Sequence, residues 1–250
     1  EMKDKFLKGA KEKGIDLAIA DDVYDKMSKF GEYGFNKSHS AAYGLVTYHT
    51  AYLKAHYCTE YMCALLTSAS GKQDDVIKYI ADCRAHGIAV LPPDVNMSDF
   101  NFTIEGAKKI RFGFRAVKGI GDKAIESIIS ARNENGKFTT ITSFLENVEI
   151  GVVNKGVLEA LIKAGAFESI HTNRAELLSS IDNMIDSAKA LQKDKSSGQA
   201  SLFGEAQGVT LDIELTKMQD LPENMKLGFE KEVLGLYVSG HPLQKFEKEI

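Results

Sequence analysis

The 250-residue sequence has no tryptophan, four prolines and three cysteines, and its charges almost cancel. Each shortage excludes something. Cys58, Cys63 and Cys83 form an odd set at spacings that fit neither a zinc knuckle nor a disulfide framework, so buried free thiols in a reducing cytoplasm are expected. No apolar run approaches the ~20 residues needed to cross a bilayer, and the start carries no charged-then-apolar signal, so no membrane partner is expected. A formal net charge of −4 excludes bulk basicity, and any polyanion-binding surface must be local. What is there is an ordinary apolar content of 44%, enough to bury a core. The sequence opens at Glu1 and stops at Ile250 inside amphipathic patterns, which suggests a piece of something longer.

The first ninety or so residues read as helical. A charged helix runs to about Lys13, and a second, capped by Asp21, runs to Phe30 and is stopped by Gly31 and Gly34. From Ser38 to Tyr57, Leu45, Tyr48, Tyr52 and Leu53 recur at helical spacing, which predicts a long helix with one packed face. His49 and His56 on that helix read as partly buried packing residues. Helices from Thr59 to Thr67, with Thr59 as cap, and from Gln73 to Ala85, closed by Gly87, complete a helical bundle. At Gly87 the texture changes. Ile88 to Leu91 is a β-type run, Pro92-Pro93 breaks it, and Phe100–Ile104 pairs with Lys109–Phe114 as a hairpin. Helices resume at Ala124–Arg132, around Ser143–Asn147, at Asn154–Ala164 and at Asn173–Gln192, and a last one runs from Pro222 to Tyr237. Between Lys193 and Thr210 the chain is rich in Lys, Ser, Gly and Gln, the composition of a mobile linker.

The strongest local chemistry is Val117-Lys118-Gly119-Ile120-Gly121-Asp122-Lys123-Ala124, a glycine-flanked bend that opens into a helix. Two glycines permit positive φ and leave the backbone bare, so that consecutive N–H groups can converge on one oxyanion. The helix start adds its dipole, Lys118 and Lys123 add charge, and Ile120 can anchor the bend in the core. From 108 to 137 there are eight basic residues, Arg115 among them, against three acidic ones, a local excess of five positive charges. The bend resembles the helix-hairpin-helix motif, which implies duplex DNA held through its phosphates by Arg115, Lys118, Gly119, Ile120, Gly121 and Lys123. Such motifs usually come in pairs. A weaker second copy spans Val157 to Phe167, with Ala164-Gly165-Ala166 as its bend, and is expected to serve mainly as a packing partner. A plain tight turn is the alternative, since short Gly-x-Gly matches are common.

Lys37, Ser38 and His39 place a cation, a hydroxyl and an imidazole at a helix start, where Ser38 or Ser40 can cap and an anion is favoured. A capped helix with its polar residues in water explains the same residues equally well. Within the polar linker, Gln199-Ala200-Ser201-Leu202-Phe203 carries an isolated apolar pair, the pattern of a peptide that docks by its side chains.

Several long motifs occur in one order: Phe35-Asn36-Lys37-Ser38-His39-Ser40-Ala41-Ala42-Tyr43, Tyr52-Leu53-Lys54-Ala55-His56-Tyr57, Leu91-Pro92-Pro93-Asp94-Val95-Asn96, the Gly-Ile-Gly bend, Leu161 to Phe167, and Leu234 to Pro242. Together they resemble the bacterial C-family replicative DNA polymerases, the DNA polymerase III alpha subunits. A Pro usually follows the position of Tyr57 there, whereas this sequence has Cys58.

The resemblance implies a mainly α fold with a small β-hairpin connection. It places the C-terminal part of the fingers at 1–95, the β connection at 96–113, tandem helix-hairpin-helix motifs at 114–192, a linker with a sliding-clamp-binding motif at 193–220, and a helical lead-in to an oligonucleotide-binding domain at 221–250. It implies Lys37, Ser38 and His39 on the nucleotide and template side of the active site, and Gln199, Leu202 and Phe203 in a pocket of the sliding clamp, the beta subunit. Other polymerase III holoenzyme subunits are implied as partners. Nucleotide addition needs acidic side chains holding two Mg2+ ions about 3.5–4 Å apart. The family supplies them from an Asp-x-Asp pattern that this sequence lacks, and Asp212 with Glu214 reads as solvated surface. No catalytic or metal-binding residue is therefore expected here, while Mg2+ is expected for a full-length enzyme. A non-catalytic helix-hairpin-helix module of repair or recombination, and a helical scaffold without DNA affinity, are the rival readings.

Overall fold

A computed structural model describes residues 2–33, 36–196, 213–240 and 242–243. The fold is mainly α, with eleven α-helices and a three-stranded sheet among the described residues. Contacts divide the chain into two compact units, Glu1–His56 and Tyr57–Ile250. Gln199, Leu202, Phe203 and most of the polar linker lie outside the described residues, as do Gly34 and Phe35.

In the first unit α1 (Met2–Glu12) and α2 (Leu17–Tyr33) pack as a pair, with the Phe6 and Tyr24 rings 5.4 Å apart and Lys3 bridging Asp21 and Asp25. Asp16, not Asp21, caps α2: its carboxylate accepts from the N–H of Ala18 and Ile19. The helix also runs through Gly31, since one mid-helix glycine weakens a helix without ending it. α3 (Lys37–His56) departs furthest from expectation, for it buries no residue, and His49 and His56 are exposed. Periodicity marks the side on which a helix wants a partner but not that the partner belongs to the same chain.

The second unit begins at Tyr57, well upstream of the boundary expected near residue 95. α4 (Cys58–Ser68) and α5 (Gln73–Ala85) bury Met62, Leu66, Val76, Ile80 and Cys83 in one core with Ile88, Ile110 and Phe112 of the β region. The change of texture at Gly87 thus marks a change of secondary structure inside a shared core. Gly87 ends α5 at φ +70, and the N–H of Ile88 returns to the carbonyl of Cys83. Thr59 lies inside α4, and Tyr57 holds the cap position without a side-chain bond.

The sheet holds more than a hairpin. β2 (Thr103–Ile104) and β3 (Lys109–Arg111) are antiparallel, and β1 (Ala89–Leu91) adds to β3 in parallel, giving the order β1-β3-β2. The segment after β1 is fixed by polar bonds: the side-chain amide of Asn96 exchanges two hydrogen bonds with the backbone of Phe138, and the N–H of Val95 donates to the carbonyl of Ala166.

Around this sheet lie α6 (Asp122–Asn135), α7 (Ile141–Asn147), α8 (Lys155–Lys163), α9 (Arg174–Ser179), α10 (Ile181–Ser196) and α11 (Glu223–Leu234). The helix expected over Asn173–Gln192 breaks at Ser180, which has left the helical region (φ −102, ψ 4) and whose buried hydroxyl accepts from the N–H of Thr216. α11 ends at Leu234, three residues short of the expected Tyr237, because Gly235 is left-handed at φ +84. Phe138, Phe144 and Phe167 meet edge to face at 5.0 and 4.9 Å and fill the centre beneath α7 and α8. Of the three free cysteines, Cys63 and Cys83 are buried, and burial pushes the Cys63 thiol up from its ordinary pKa.

Candidate nucleic-acid interface

β3 leads through Phe112 into a 3-10 turn, Phe114–Ala116, and then the bend. The approach is tight. A Cβ on Gly113 would lie 2.4 Å from the backbone carbon of Asn101, so no side chain fits there; local sequence reading passes this glycine over. Phe114 and Val117 are buried, and Ile120 enters the core with 8% of its surface exposed. Lys118, Gly119, Gly121, Asp122 and Lys123 around it are exposed.

The two glycines do different things. Gly119 has φ +92, where L side chains are strained, and it sits against Ala160 of α8, 3.6 Å from where its own Cβ would be. Gly121 caps α6 in an extended conformation (φ −87, ψ 158) that any residue adopts, and a Cβ there would meet nothing within 4 Å. Only one glycine therefore needs positive φ. Among the described residues no atom would obstruct a side chain at Gly121, which faces open space.

The backbone donors divide just as sharply. The N–H of Lys118 donates to the carbonyl of Val233 at 2.8 Å, that of Ile120 to Val117, and those of Ala124 and Ile125 to Gly121. Among the described residues, the N–H groups of Gly119, Gly121, Asp122 and Lys123 have no acceptor in the chain. Four exposed donors thus remain on one short bend, two of them in the first turn of a 14-residue helix whose dipole favours an anion. The bond to Val233 also satisfies a carbonyl in the last turn of α11, so hairpin and C-terminal helix hold each other.

The local charge count overstates the cationic surface. Arg111 is half-buried and bidentate to Glu105, at 2.6 and 2.8 Å. Arg132 donates to the carbonyls of Val95 and Ser98, bracing the loop before β2. Arg115 is exposed, lies over the Phe100 ring at 5.6 Å and reaches Asp122 at 4.0 Å, while Lys118 and Lys123 form no ion pair among the described residues. The cations at the bend are therefore Arg115, Lys118 and Lys123.

The Ala164-Gly165-Ala166 turn is a different object. It is buried, the N–H groups of Gly165 and Ala166 donate to Ile162 and Leu161, and a Cβ on Gly165 would strike the guanidinium of Arg174 at 2.4 Å. This turn packs against protein. Lys37, Ser38 and His39 belong to the first unit, where they open α3. Asn36, rather than either serine, is the cap, accepting from the N–H and Oγ of Ser38 at 3.0 and 2.7 Å. The His39 ring lies 4.4 Å from that of Tyr43.

Comparison with known proteins agrees with this geometry. The family model described as a helix-hairpin-helix motif matches residues 87–177. The chain is 44% identical over 248 residues to the DNA polymerase III subunit alpha of Neisseria meningitidis, covering 98% of this chain and 21% of that protein. It is 43% identical to the subunit of Thermus aquaticus over 244 residues, and 43% identical to that of Mycobacterium tuberculosis over 243. The chain spans about a fifth of the length of these relatives. With that identity sustained over nearly its whole length, the chain is homologous to a region of the DNA polymerase III alpha subunits.

Proposed function

We propose that this chain grips duplex DNA through its sugar-phosphate backbone, without reading bases, as part of a DNA-directed DNA polymerase. The observation that carries the reading is the exposed bend at Gly119–Lys123, with four N–H groups unpaired among the described residues and Lys118, Lys123 and Arg115 around them. Backbone donors and a helix start fit a phosphate and carry no sequence preference.

In the longer protein, Lys37, Ser38 and His39 face the nucleotide and template side, Gln199, Leu202 and Phe203 dock the sliding clamp, and other holoenzyme subunits assemble around it. These roles rest on the motif resemblance. Mg2+ belongs to the chemistry of the full-length enzyme. Among the described residues no three His, Cys, Asp or Glu side chains cluster, so the groups present do not fit a two-metal site, and no nucleotide-transfer step is assigned to them. No helix among the described residues is long and apolar enough to cross a membrane.

Fluorescence anisotropy on labelled duplexes of unrelated sequence tests the reading. Binding should be equal across sequences, fall steeply with salt, and weaken uniformly when Gly119 and Gly121 are both replaced by alanine. Unchanged affinity in a folded double variant removes it.

A further inference from the structure

Beside the hairpin lies a cleft of about 290 Å³ that the reading above leaves unused. Arg115 and Lys118 line it from the approach to the bend, and Ser70, Gly71 and Gln73 line it from the turn between α4 and α5. Every charged residue in its lining is a cation. Among the described residues, the N–H groups of Gly71 and Gln73 have no acceptor. Asp122 approaches Arg115 from the bend at 4.0 Å, but that pair is more than half exposed and therefore weak. At roughly 30 Å³ per water, the space suits a phosphodiester group with part of its hydration. Lys118 joins the two places: it lines the cleft, and the next residue, Gly119, offers the first unpaired amide of the bend.

We infer that this cleft holds a second phosphate of the strand gripped by the hairpin, so that the turn between α4 and α5, some fifty residues upstream of the motif, forms part of the DNA interface. The inference rests on the duplex-binding reading and extends it to Ser70, Gly71 and Gln73. The hairpin amides would take one phosphate, and Arg115 and Lys118, facing the 70–73 turn, would take a neighbouring one.

Gly71 provides the test. A Cβ there meets no atom within 4 Å and its φ is not positive, so a side chain can be added without strain. Gly71→Asp places a carboxylate on the cleft wall, and Gly71→Asn places a neutral group of the same size. Gly71→Asp should bind duplex about tenfold more weakly than Gly71→Asn at low salt, the loss of one charge-assisted contact. Its salt slope should also be shallower by about one. Duplexes carrying one neutral methylphosphonate linkage at a time should lose affinity at two positions of one strand with the parent chain, and at one position with Gly71→Asp. Equal binding and equal slopes for the two variants overturn the inference. If the parent binds duplex and Gly121→Ala weakens it while the Gly71 pair stay equal, the cleft alone is refuted and the hairpin reading stands. If the parent binds no duplex, both fall.

Discussion

Arg174 and Glu230 meet 3.2 Å apart inside the second unit, with side chains 3% and 0% exposed. Glu230 also accepts the N–H groups of Val238 and Ser239, each at 3.0 Å, while Arg174 reaches Glu168 and the carbonyl of Lys163. One buried pair therefore ties the segment after α11 to the buried turn at Gly165. Without Glu230, Arg174 keeps its bond to Glu168, but the N–H groups of Val238 and Ser239 lose their acceptor, so Glu230→Leu should cost about 1–3 kcal/mol in urea denaturation. Arg174→Met/Glu230→Leu should cost much less than the two single losses added together. Additive losses would show that the pair does not act as a unit.

The division of labour between the glycines of the bend separates stability from binding. Gly119→Ala forces an L residue to φ +92 and should destabilise the fold by about 1–2 kcal/mol. Gly121→Ala changes no backbone preference and meets no neighbour, so its melting temperature should move little, while the methyl would obstruct the phosphate proposed to approach there. Parallel melting and duplex titrations of the two single variants decide this. A Gly121→Ala variant that binds as the parent does would show that Gly121 is bare for no functional reason.

Cations counted together in the sequence separate in the structure. Lys118→Gln and Lys123→Gln should each lower duplex affinity across all sequences and reduce the salt slope by about one. Arg132→Gln removes the bonds to Val95 and Ser98 and should lower stability, with the slope unchanged. A reduced slope for Arg132→Gln would put it back on the binding surface.

That separation shows what was legible in the sequence and what was not. α5 and α8 end within a residue or so of their expected limits because apolar spacing and cap chemistry agree there, as at Asn154, whose side chain accepts from the N–H of Val157. The bend itself was readable for the same reason, as glycines and a helix start are local signals. Cap identity slipped where two suitable residues compete, Asp16 against Asp21 and Asn36 against Ser38. Long-range choices left no local trace. Nothing near Lys118 announces Val233, nothing in Ala89–Leu91 announces parallel pairing with Lys109–Arg111, and a serine at 180 is compatible with an unbroken helix until Thr216 takes its hydroxyl. The same limit hid the real duties of Arg111 and Arg132, because charge can be counted from sequence while the partner that consumes it cannot.

The displaced duty of Arg111 carries a pH dependence. Its guanidinium is bonded to both oxygens of Glu105, and that contact holds the carboxyl below its ordinary value of 4.5 against the opposing effect of burial. Arg111 also donates to the carbonyl of Pro92, so the pair ties β3 to the loop after β1. A carboxylate with a lowered pKa in the fold binds protons more readily once unfolded. Its contribution is therefore complete above the unfolded value near 4.5 and disappears as pH falls through the lower folded value. Glu105→Gln should be less stable than the parent at pH 7, and the difference should shrink steadily below about pH 4.5. Urea denaturation of both chains from pH 7 to pH 3 measures it. A difference that stays constant over that range would mean that Glu105 acts through its shape or its hydrogen bonds and not through its charge.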